Sequence, residues 1–414
     1  MLYCLQIDNE MIFKSIVTAA AIIGTLIASL TITPIHASES PQPFKITDEI
    51  KDGINAIVDT NRTNAAIVIG IVDPNGTQFY STGKLSEANN SNVNENTIFR
   101  IGSMTKVFTT ILLADAVQEG VIKLEDPVDK YLPSTTKVPQ YNGHRITIED
   151  LATHSSGLPE NPPNFCPAFA EMNPQTPDEK VQFTRDLIDC SENYTYDQFY
   201  QGLSNTTISR EPGSKFEYSN MGIELLGNIL TSKSNMSSYD ELVTKKILNV
   251  LGMNSTSITL SDEQKSRLAS GHTSGRELPL MNFSDPEIPS GGLYSSASDM
   301  LKFTSANIGL IKTKLDSAMQ ESHLIRHSEY IGNNTNTLIY DGLGWFITTN
   351  LGKEIIWTNG ATFGGYNAFL AFNPSTERGI VVLCSAVTED VDITNLGFNQ
   401  EGKLSSLIWN LLSQ

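Results

Sequence analysis

The sequence of 414 residues is short of positive charge and contains no basic cluster. Its 28 Lys and Arg stand against 46 Asp and Glu, which gives a formal net charge of −18 at pH 7. Proteins that bind nucleic acid present clustered Lys and Arg to the phosphates, so this composition argues against a nucleic-acid partner. The chain also lacks a repeat of about 20 to 50 residues, which argues against a solenoid.

Metal-binding motifs and one common hydrolase motif are missing as well. The six histidines are scattered, and no Cys-x-x-Cys, His-x-His or His-Glu-x-x-His occurs. Zinc sites use such spacings, so we expect no metal and no other cofactor. A Gly-x-Ser-x-Gly segment is also absent, which argues against the acyl hydrolases that carry their nucleophile on that turn.

Cysteine is scarce, with four in the chain. Cys166 and Cys190 bracket an insertion rich in Pro and Asn that has little apolar core of its own. In an oxidising compartment these two could form a disulfide, although spacing alone leaves the pairing open. Cys384 lies in an apolar run and is predicted to be a buried strand thiol.

The N-terminal segment has the pattern of a secretory signal peptide. One cation, Lys14, precedes an apolar run from Ile16 to Ile32, and Ile35-His36-Ala37 offers a small-residue cleavage site. The alternative is an uncleaved membrane anchor, because the run approaches the ~18 residues that span a bilayer. We expect residues 1–37 to be removed and the mature protein, residues 38–414, to be periplasmic or secreted.

Strand patterns occupy both ends of the chain. Near the N-terminus, apolar runs at Ala65–Val72 and Gln78–Ser81 flank an Asn75-Gly76 turn and predict a β-hairpin. Near the C-terminus four further strands are predicted, at Trp345–Thr348, Ile355–Trp357, Tyr366–Phe372 and Ile380–Leu383. Helical spacing of apolar residues precedes the first strand and follows the last one. The two ends are therefore predicted to form one antiparallel sheet flanked by helices.

The middle of the chain has helical patterns separated by loops rich in Pro, Asn and Ser. The predicted helices are Ser103–Glu119, Ile148–His154, Tyr196–Leu203, Asn220–Leu230 and Tyr239–Leu251. Helices inserted between two parts of one sheet indicate an α/β fold of the α+β type. We expect one catalytic domain, with an α/β lobe from about 38–102 and 296–414 and a mostly helical lobe at about 103–295.

Three segments could carry chemistry, and the first is Ile101–Lys106. Ser103 and Lys106 lie three residues apart at the start of a predicted helix, so both side chains would lie on one face. A serine beside an amine is a nucleophile beside a possible base. The alternative is that Ser103 only caps the helix, where serine is favoured. Two other Ser-x-x-Lys segments, starting at Ser81 and Ser134, do not open an amphipathic helix.

The second segment is Tyr218-Ser219-Asn220. A nearby ammonium group favours the phenolate form of a tyrosine, so Tyr218 beside Lys106 could accept the proton of Ser103. Asn220 would offer an amide to a substrate carbonyl. The alternative is that Asn220 caps a helix and has no catalytic role.

The third segment lies in a predicted strand near the C-terminus. It contains Thr358, Asn359, Gly360 and Ala361. Glycine inside a strand indicates close approach of a ligand or of another backbone. The N–H groups of Ala361 and Ser103 would together form an oxyanion hole. The alternative is a bent or bulged edge strand.

The order of these segments, Ser-x-x-Lys, Tyr-x-Asn and a strand containing glycine, resembles the serine β-lactamase and penicillin-recognising hydrolase family. The resemblance is to its branch of class C β-lactamases, DD-peptidases and related esterases. Further segments that resemble the family are His154–Pro159, Leu251–Thr256, Gly291–Met300 and Gly342–Trp345. The resemblance extends from about Ile46 to the C-terminus.

The resemblance implies acyl transfer on a β-lactamase/transpeptidase-like fold. Ser103 would attack a carbonyl, Lys106 and Tyr218 would move its proton, and water would release the acyl-enzyme. Asn220 and the third segment would hold the substrate. The family usually has Lys or His at the position of Thr358, facing a substrate carboxylate, and a hydroxyl adds no charge there.

The resemblance therefore predicts a small-molecule or peptide substrate. We expect a D-alanyl-D-alanine carboxypeptidase or endopeptidase that acts on peptidoglycan peptides. The alternatives are a class C-like β-lactamase, an esterase or amidase for uncharged acyl substrates, and a penicillin- or peptide-binding module with little turnover. A membrane would be a partner only if the signal segment were retained.

Overall fold

The computed structural model describes residues 44–60, 65–169, 172–327, 338–350, 353–387 and 403–413. The predicted signal segment lies outside these residues. The first elements are α1 (Asp48–Thr60), β1 (Ile67–Asp73), β2 (Gly76–Thr82) and β3 (Ile98–Arg100). The last elements, described below, complete the same sheet as β1 and β2.

The middle of the chain is mostly helical, with short strands between the helices. Its elements are α2 (Thr105–Gln118), β4 (Gln140–Tyr141), β5 (His144–Arg145), α3 (Ile148–Ala152), α4 (Pro177–Ser191), α5 (Tyr196–Asn205), α6 (Asn220–Lys233), α7 (Tyr239–Val243), α8 (Asn249–Leu251), α9 (Asp262–Ser266), β6 (His272–Thr273), β7 (Arg276–Glu277), α10 (Ile288–Gly291) and β8 (Tyr294–Ser296). A π-helical turn, Thr244–Leu248, joins α7 to α8. Short 3₁₀ turns lie at Gly102–Met104, Val128–Tyr131 and Pro167–Phe169.

The remaining elements return to the sheet. They are α11 (Ala297–Ile308), α12 (Asp316–Ser322), β9 (Leu338–Asp341), β10 (Phe346–Asn350), β11 (Lys353–Thr362), β12 (Tyr366–Asn373), β13 (Arg378–Cys384), β14 (Ala386–Val387) and α13 (Lys403–Ser413). The main sheet has seven strands in the order β2-β1-β13-β12-β11-β10-β9. All neighbours are antiparallel, and β1 pairs with β13, which joins the two ends of the chain.

Side chains alternate between the two faces of this sheet, as the period of a strand requires. On β1, Val68 and Val72 face the helical part of the chain. Ile67, Ile69 and Ile71 lie in a second core on the opposite face. Helices α1 and α13 contribute apolar side chains to that second core. Both faces are therefore covered, which explains why the central strands are apolar along their whole length.

Two helices in the middle of the chain, α2 and α6, are buried over most of their surface. In α2, all ten residues from Thr105 to Ala114 are buried, and α6 is buried over the ten residues from Met221 to Leu230. A helix that is apolar on every side belongs inside a core. Gly227 of α6 is needed there, because a Cβ at this position would lie 2.2 Å from Cβ of Pro289 in α10.

The structure confirms the predicted fold class, an antiparallel sheet flanked by helices with a mostly helical insertion. The division into two lobes stays a prediction, since the described residues from Phe44 onward form one compact unit. The sequence pattern missed α4, which has a capping box between Thr176 and Glu179 and proline at its first turn. Among the described helices, none has both the length and the hydropathy needed to cross a bilayer.

A disulfide joins Cys166 to Cys190, whose Cα atoms are 5.9 Å apart. It ties α4 to the loop that precedes it. Cys384, in β13, is buried and free, and burial raises the pKa of its thiol to about 12. Of the cysteines that the structure describes, only the pair in the insertion is cross-linked.

We expect removal of this disulfide to cost about 2 to 4 kcal/mol of folding free energy, because the cross-link restricts the unfolded chain. The variant Cys166→Ser/Cys190→Ser should melt several degrees below the wild type. Dithiothreitol should lower the melting temperature of the wild type and leave that of the variant unchanged. Equal melting temperatures for oxidised and reduced wild type would contradict the prediction.

Candidate active site

Ser103 lies in the 3₁₀ turn Gly102–Met104 that leads from β3 into α2. Gly102 has φ = +54°, a conformation that favours glycine. The residue at the N-cap of α2 is Met104, and no side chain caps this helix. The interpretation of Ser103 as a capping residue is therefore wrong, and its hydroxyl is directed to other partners.

The hydroxyl of Ser103 accepts two hydrogen bonds. Lys106 Nζ donates to Ser103 Oγ at 3.1 Å, and Tyr218 OH donates to the same oxygen at 2.7 Å. Lys106 Nζ also lies 5.0 Å from the centre of the Tyr218 ring. The structure thus brings together the three residues that the sequence predicted, although Tyr218 is 115 positions from Ser103.

Lys106 is buried, with 3% of its surface exposed. Its ammonium group also donates to the backbone carbonyl of Ser290 at 2.7 Å. A buried ammonium ion is costly unless hydrogen-bond acceptors surround it. The carbonyl of Ser290 and the hydroxyl of Ser103 therefore fix the position of the Lys106 amine.

Tyr218 is held by the helix start that follows it. Ser219 is the N-cap of α6, accepting from Gly222 N–H at 2.9 Å and donating to Pro159 O at 2.7 Å. The capping role proposed for Asn220 is therefore wrong. Asn220 instead donates from Nδ2 to Asn161 Oδ1 at 3.3 Å and lines the cavity next to Ser103.

His154 contacts the same segment through a hydrogen bond and a ring contact. Ser219 N–H donates to His154 Nδ1 at 3.1 Å, and the imidazole lies 4.7 Å from the Tyr218 ring. Burial, together with the charge of Lys106, lowers the pKa of His154 to about 3. The ring is thus neutral at physiological pH, and its Nδ1 can accept the backbone N–H.

Gly360 allows β11 to lie directly against the turn that carries Ser103. A Cβ at Gly360 would be 2.1 Å from Ile101 O and 2.9 Å from Ser103 N. The last residue of β11 that pairs with β10 is Trp357, whereas pairing with β12 continues to Thr362. Within the described residues, therefore, one edge of β11 beyond Trp357 has no neighbouring strand of the main sheet, and this part of β11 lines the cavity.

The third predicted segment is only partly in the cavity. Asn359, Gly360 and Ala361 line it. Thr358 does not line it and is 3% exposed. It pairs with Leu370 of β12 and, by the period of the strand, faces the same side as Gly360. The structure therefore places a buried hydroxyl where the family resemblance led us to expect a side chain facing substrate.

The cavity has a volume of about 540 Å³. Its aromatic walls come from Phe165, Phe216, Phe283, Phe346 and Phe363. Its charged residues are Glu160, Glu224 and Glu287, and it is lined by no Lys, Arg or His among the described residues. The cavity that opens at Ser103 is therefore apolar and acidic.

Glu224 and Glu287 are functional candidates that the sequence analysis missed. Both are buried, at 3% and 6% exposure. Burial is the main cause that raises the pKa of Glu224 to about 8, with the nearby Glu287 adding to it, and burial raises the pKa of Glu287 to about 7. No local sequence pattern indicates that Glu224 is buried, since a single glutamate among apolar residues is also expected on the polar face of an amphipathic helix. In the described part of the chain, this cavity included, no cluster of three His, Cys, Asp or Glu could hold a metal.

Known proteins are similar to this chain in sequence and in fold. A family model described as beta-lactamase matches residues 54–398. The D-alanyl-D-alanine-carboxypeptidase/endopeptidase AmpH of Escherichia coli K12 is 26% identical over 87% of this chain and 89% of its own length. A beta-lactamase of the same strain is 25% identical over 87% of this chain and 94% of its own length.

A solved structure, a beta-lactamase/D-alanine carboxypeptidase from Yersinia pestis complexed with citrate, has the same fold. Its TM-score is 0.69 at 23% identity, over 89% of this chain and 98% of that one. The fold and the family match define a serine hydrolase that acts by acyl transfer. More particularly, since the family model covers most of its length, the chain belongs to the beta-lactamase family.

The raised pKa of Glu224 predicts how folding stability depends on pH. The folded state binds a proton at Glu224 up to about pH 8, whereas an unfolded glutamate releases it near ~4.3. Stability is therefore lost as pH rises through this window, by at most about 1.4 kcal/mol per pH unit. Glu224→Gln does not titrate and should melt at a higher temperature than the wild type at pH 8, with a smaller difference at pH 5.

Calorimetry at both pH values tests this, with Glu263→Gln as the control. Glu263 is on the surface and pairs with Arg267, so its substitution makes the same Glu-to-Gln change away from the cavity. A difference between Glu224→Gln and wild type that stays constant from pH 5 to pH 8 would contradict the prediction.

Proposed function

We propose that Ser103 is the nucleophile of an exported acyl-transfer enzyme. The observation that carries this proposal is the pair of hydrogen bonds that Lys106 and Tyr218 donate to Ser103 Oγ. A hydroxyl oxygen that accepts both bonds has its position fixed by two groups that can carry its proton. Nucleophilic serines are recognised by such a neighbouring base.

In this mechanism Ser103 Oγ bonds to the substrate carbonyl carbon as its O–H bond breaks. The proton passes through the Lys106 and Tyr218 pair to the leaving amine or alcohol. Water then attacks the acyl-enzyme, gives a proton back to Ser103 Oγ and releases the acid. Lys106 and Tyr218 both contact Ser103 Oγ, so the mechanism treats them as one proton-transferring unit.

The developing oxyanion would be held by the N–H groups of Ser103 and Ala361. Two features support this: the closeness of β11 to the turn of Ser103, and the part of β11 beyond Trp357 that lines the cavity. Backbone N–H groups fixed in this way stabilise a transition state without reorganisation. Asn220 and Asn359 line the same cavity and would bind polar groups of the substrate.

Peptidoglycan peptides are the substrate that we propose first. The relatives whose names include D-alanyl-D-alanine carboxypeptidase/endopeptidase or D-alanine carboxypeptidase support this choice. Export, expected from the signal-like N-terminal segment, would bring the enzyme to that substrate. Cleavage of an internal peptide bond needs no cation for a terminal carboxylate, which suits a cavity lined by no Lys, Arg or His within the described chain.

An esterase or amidase for uncharged acyl groups is the second candidate. The specific observation in its favour is the buried Thr358, a neutral residue at the position where the family usually has a cation. The aromatic walls of the cavity would also suit an apolar acyl group.

We expect fluorescent penicillin to label Ser103 covalently. Ser103→Ala should lose the label, and Tyr218→Phe should slow acylation by about 10²- to 10⁴-fold, the usual contribution of a general base. Ser134→Ala, in an exposed Ser-x-x-Lys segment, is the matched control and should be labelled like the wild type. Intact-mass measurement locates the adduct.

The outcomes of this experiment separate the remaining alternatives. Identical mass spectra for wild type and Ser103→Ala would contradict a nucleophilic role for Ser103. An adduct that persists for hours without release would favour a binding module over a hydrolase. Rapid release with liberation of the opened β-lactam would favour a β-lactamase.

The choice between peptidase and esterase rests on relative specificity. For a peptidase we expect release of D-alanine or cleavage of a cross-linked peptide, with kcat/KM at least about tenfold above that for a short p-nitrophenyl ester. The reverse ratio would favour the esterase. Ser103→Ala, assayed in parallel, corrects for spontaneous ester hydrolysis.

A further inference from the structure

We propose that the buried carboxylates Glu224 and Glu287, here called the acidic pair, form a subsite that binds a protonated amine on the acyl part of the substrate. The acidic pair lines the same cavity as Ser103. This inference rests on the proposed function. It adds that the acyl part of the substrate carries a positive charge.

Glu224 has an oxygen that nothing in the described structure satisfies. Its Oε1 accepts from Ser290 Oγ at 2.9 Å. Its Oε2 is buried and has no hydrogen-bond partner within the described chain. An unpaired buried acceptor is costly, so this oxygen is suited to a donor supplied by a ligand in the cavity.

Glu287 is held in place by hydrogen bonds from two serine residues. Ser191 Oγ donates to Glu287 Oε2 at 2.9 Å, and Ser284 also donates to that oxygen. Ser191 is the last residue of α4 and follows Cys190 directly. Ser191, next to the disulfide, and Ser284, which precedes α10, therefore donate the hydrogen bonds that fix the second carboxylate of the subsite.

The cations nearest the acidic pair lie outside the cavity lining. Lys106 is bound to Ser103 and Ser290, and Arg100 is bound to Met281 O and Tyr294 OH. Arg100 also lies over the rings of Phe283 and Tyr294. Their charges lower the pKa values of Glu224 and Glu287, respectively, but burial outweighs them.

A protonated amine is the ligand that this environment fits best. It donates up to three hydrogen bonds, and its charge would favour the ionised form of a carboxyl that burial otherwise keeps protonated. Phe165 and Phe216 line the cavity, and aromatic rings attract cations to their faces. A carboxylate in the same position would meet two acids and no cation among the lining residues.

The test compares two p-nitrophenyl esters of equal size. One is the ester of 4-(aminomethyl)phenylacetic acid, and the other is the ester of 4-ethylphenylacetic acid, in which a methyl group replaces the ammonium group. We expect wild-type kcat/KM to be about tenfold or more in favour of the amine, the usual effect of a charged hydrogen bond. Glu224→Gln/Glu287→Gln should remove this preference, and Glu263→Gln should retain it.

A second measurement does not depend on turnover. Calorimetry should detect binding of 4-methylbenzylammonium, but not of 4-methylbenzyl alcohol, to Ser103→Ala, and the added Glu224→Gln substitution should abolish it. The proposal is overturned if wild type shows no preference for the amine, or if the preference survives in the folded double variant. If neither ester is hydrolysed, the proposed function fails for these substrates, while the binding measurement still decides the subsite.

Discussion

The site depends on one close contact, between strand β11 and the turn that carries Ser103. Because Gly360 has no Cβ, the strand approaches Ile101 O and Ser103 N more closely than any other residue would permit. This contact connects the sheet, made from the chain ends, to helix α2, which carries Lys106. The position of Ser103 is therefore set where the sheet packs against the turn that leads into α2. Movement of β11 relative to this turn would displace Ser103, and small displacements of reacting groups are costly in catalysis.

Burial of charge is the second constraint on the site. Lys106 is buried in a core that surrounds α2 with apolar side chains, where an uncompensated ammonium ion would be strongly unfavourable. Ser290 connects it to the acidic pair: its carbonyl accepts from Lys106 and its hydroxyl donates to Glu224. The charge of Lys106 also lowers the pKa of both His154 and Glu224. The charge of Lys106 thus acts both on His154, which packs against Tyr218, and on Glu224 in the wall of the cavity.

The parts of this structure that were predictable from sequence are those that depend on local spacing. Ser103 and Lys106 are one helical turn apart, so their contact follows from the helix itself. The hairpin of β1 and β2 follows from Asn75-Gly76. The meeting of Tyr218 with Ser103 needs the tertiary fold, and only the family resemblance indicated it. The burial of Glu224 could not be predicted from the sequence, because it arises from the packing of α6 against α10.

The charged and aromatic residues that line the cavity limit the choice of substrate more directly than Ser103 does. A serine, a lysine and a tyrosine in contact can serve many acyl donors, because they act on the carbonyl group that all of these share. Discrimination must come from groups that touch the rest of the substrate. In this cavity those groups are aromatic rings, carboxylates and neutral amides, while Thr358, at the position usually given to a cation, is neutral and buried. A substrate anion would lose its hydration here without gaining a charged partner, whereas a cation would exchange water for carboxylate oxygens. The balance of desolvation against pairing therefore favours neutral or positively charged acyl groups.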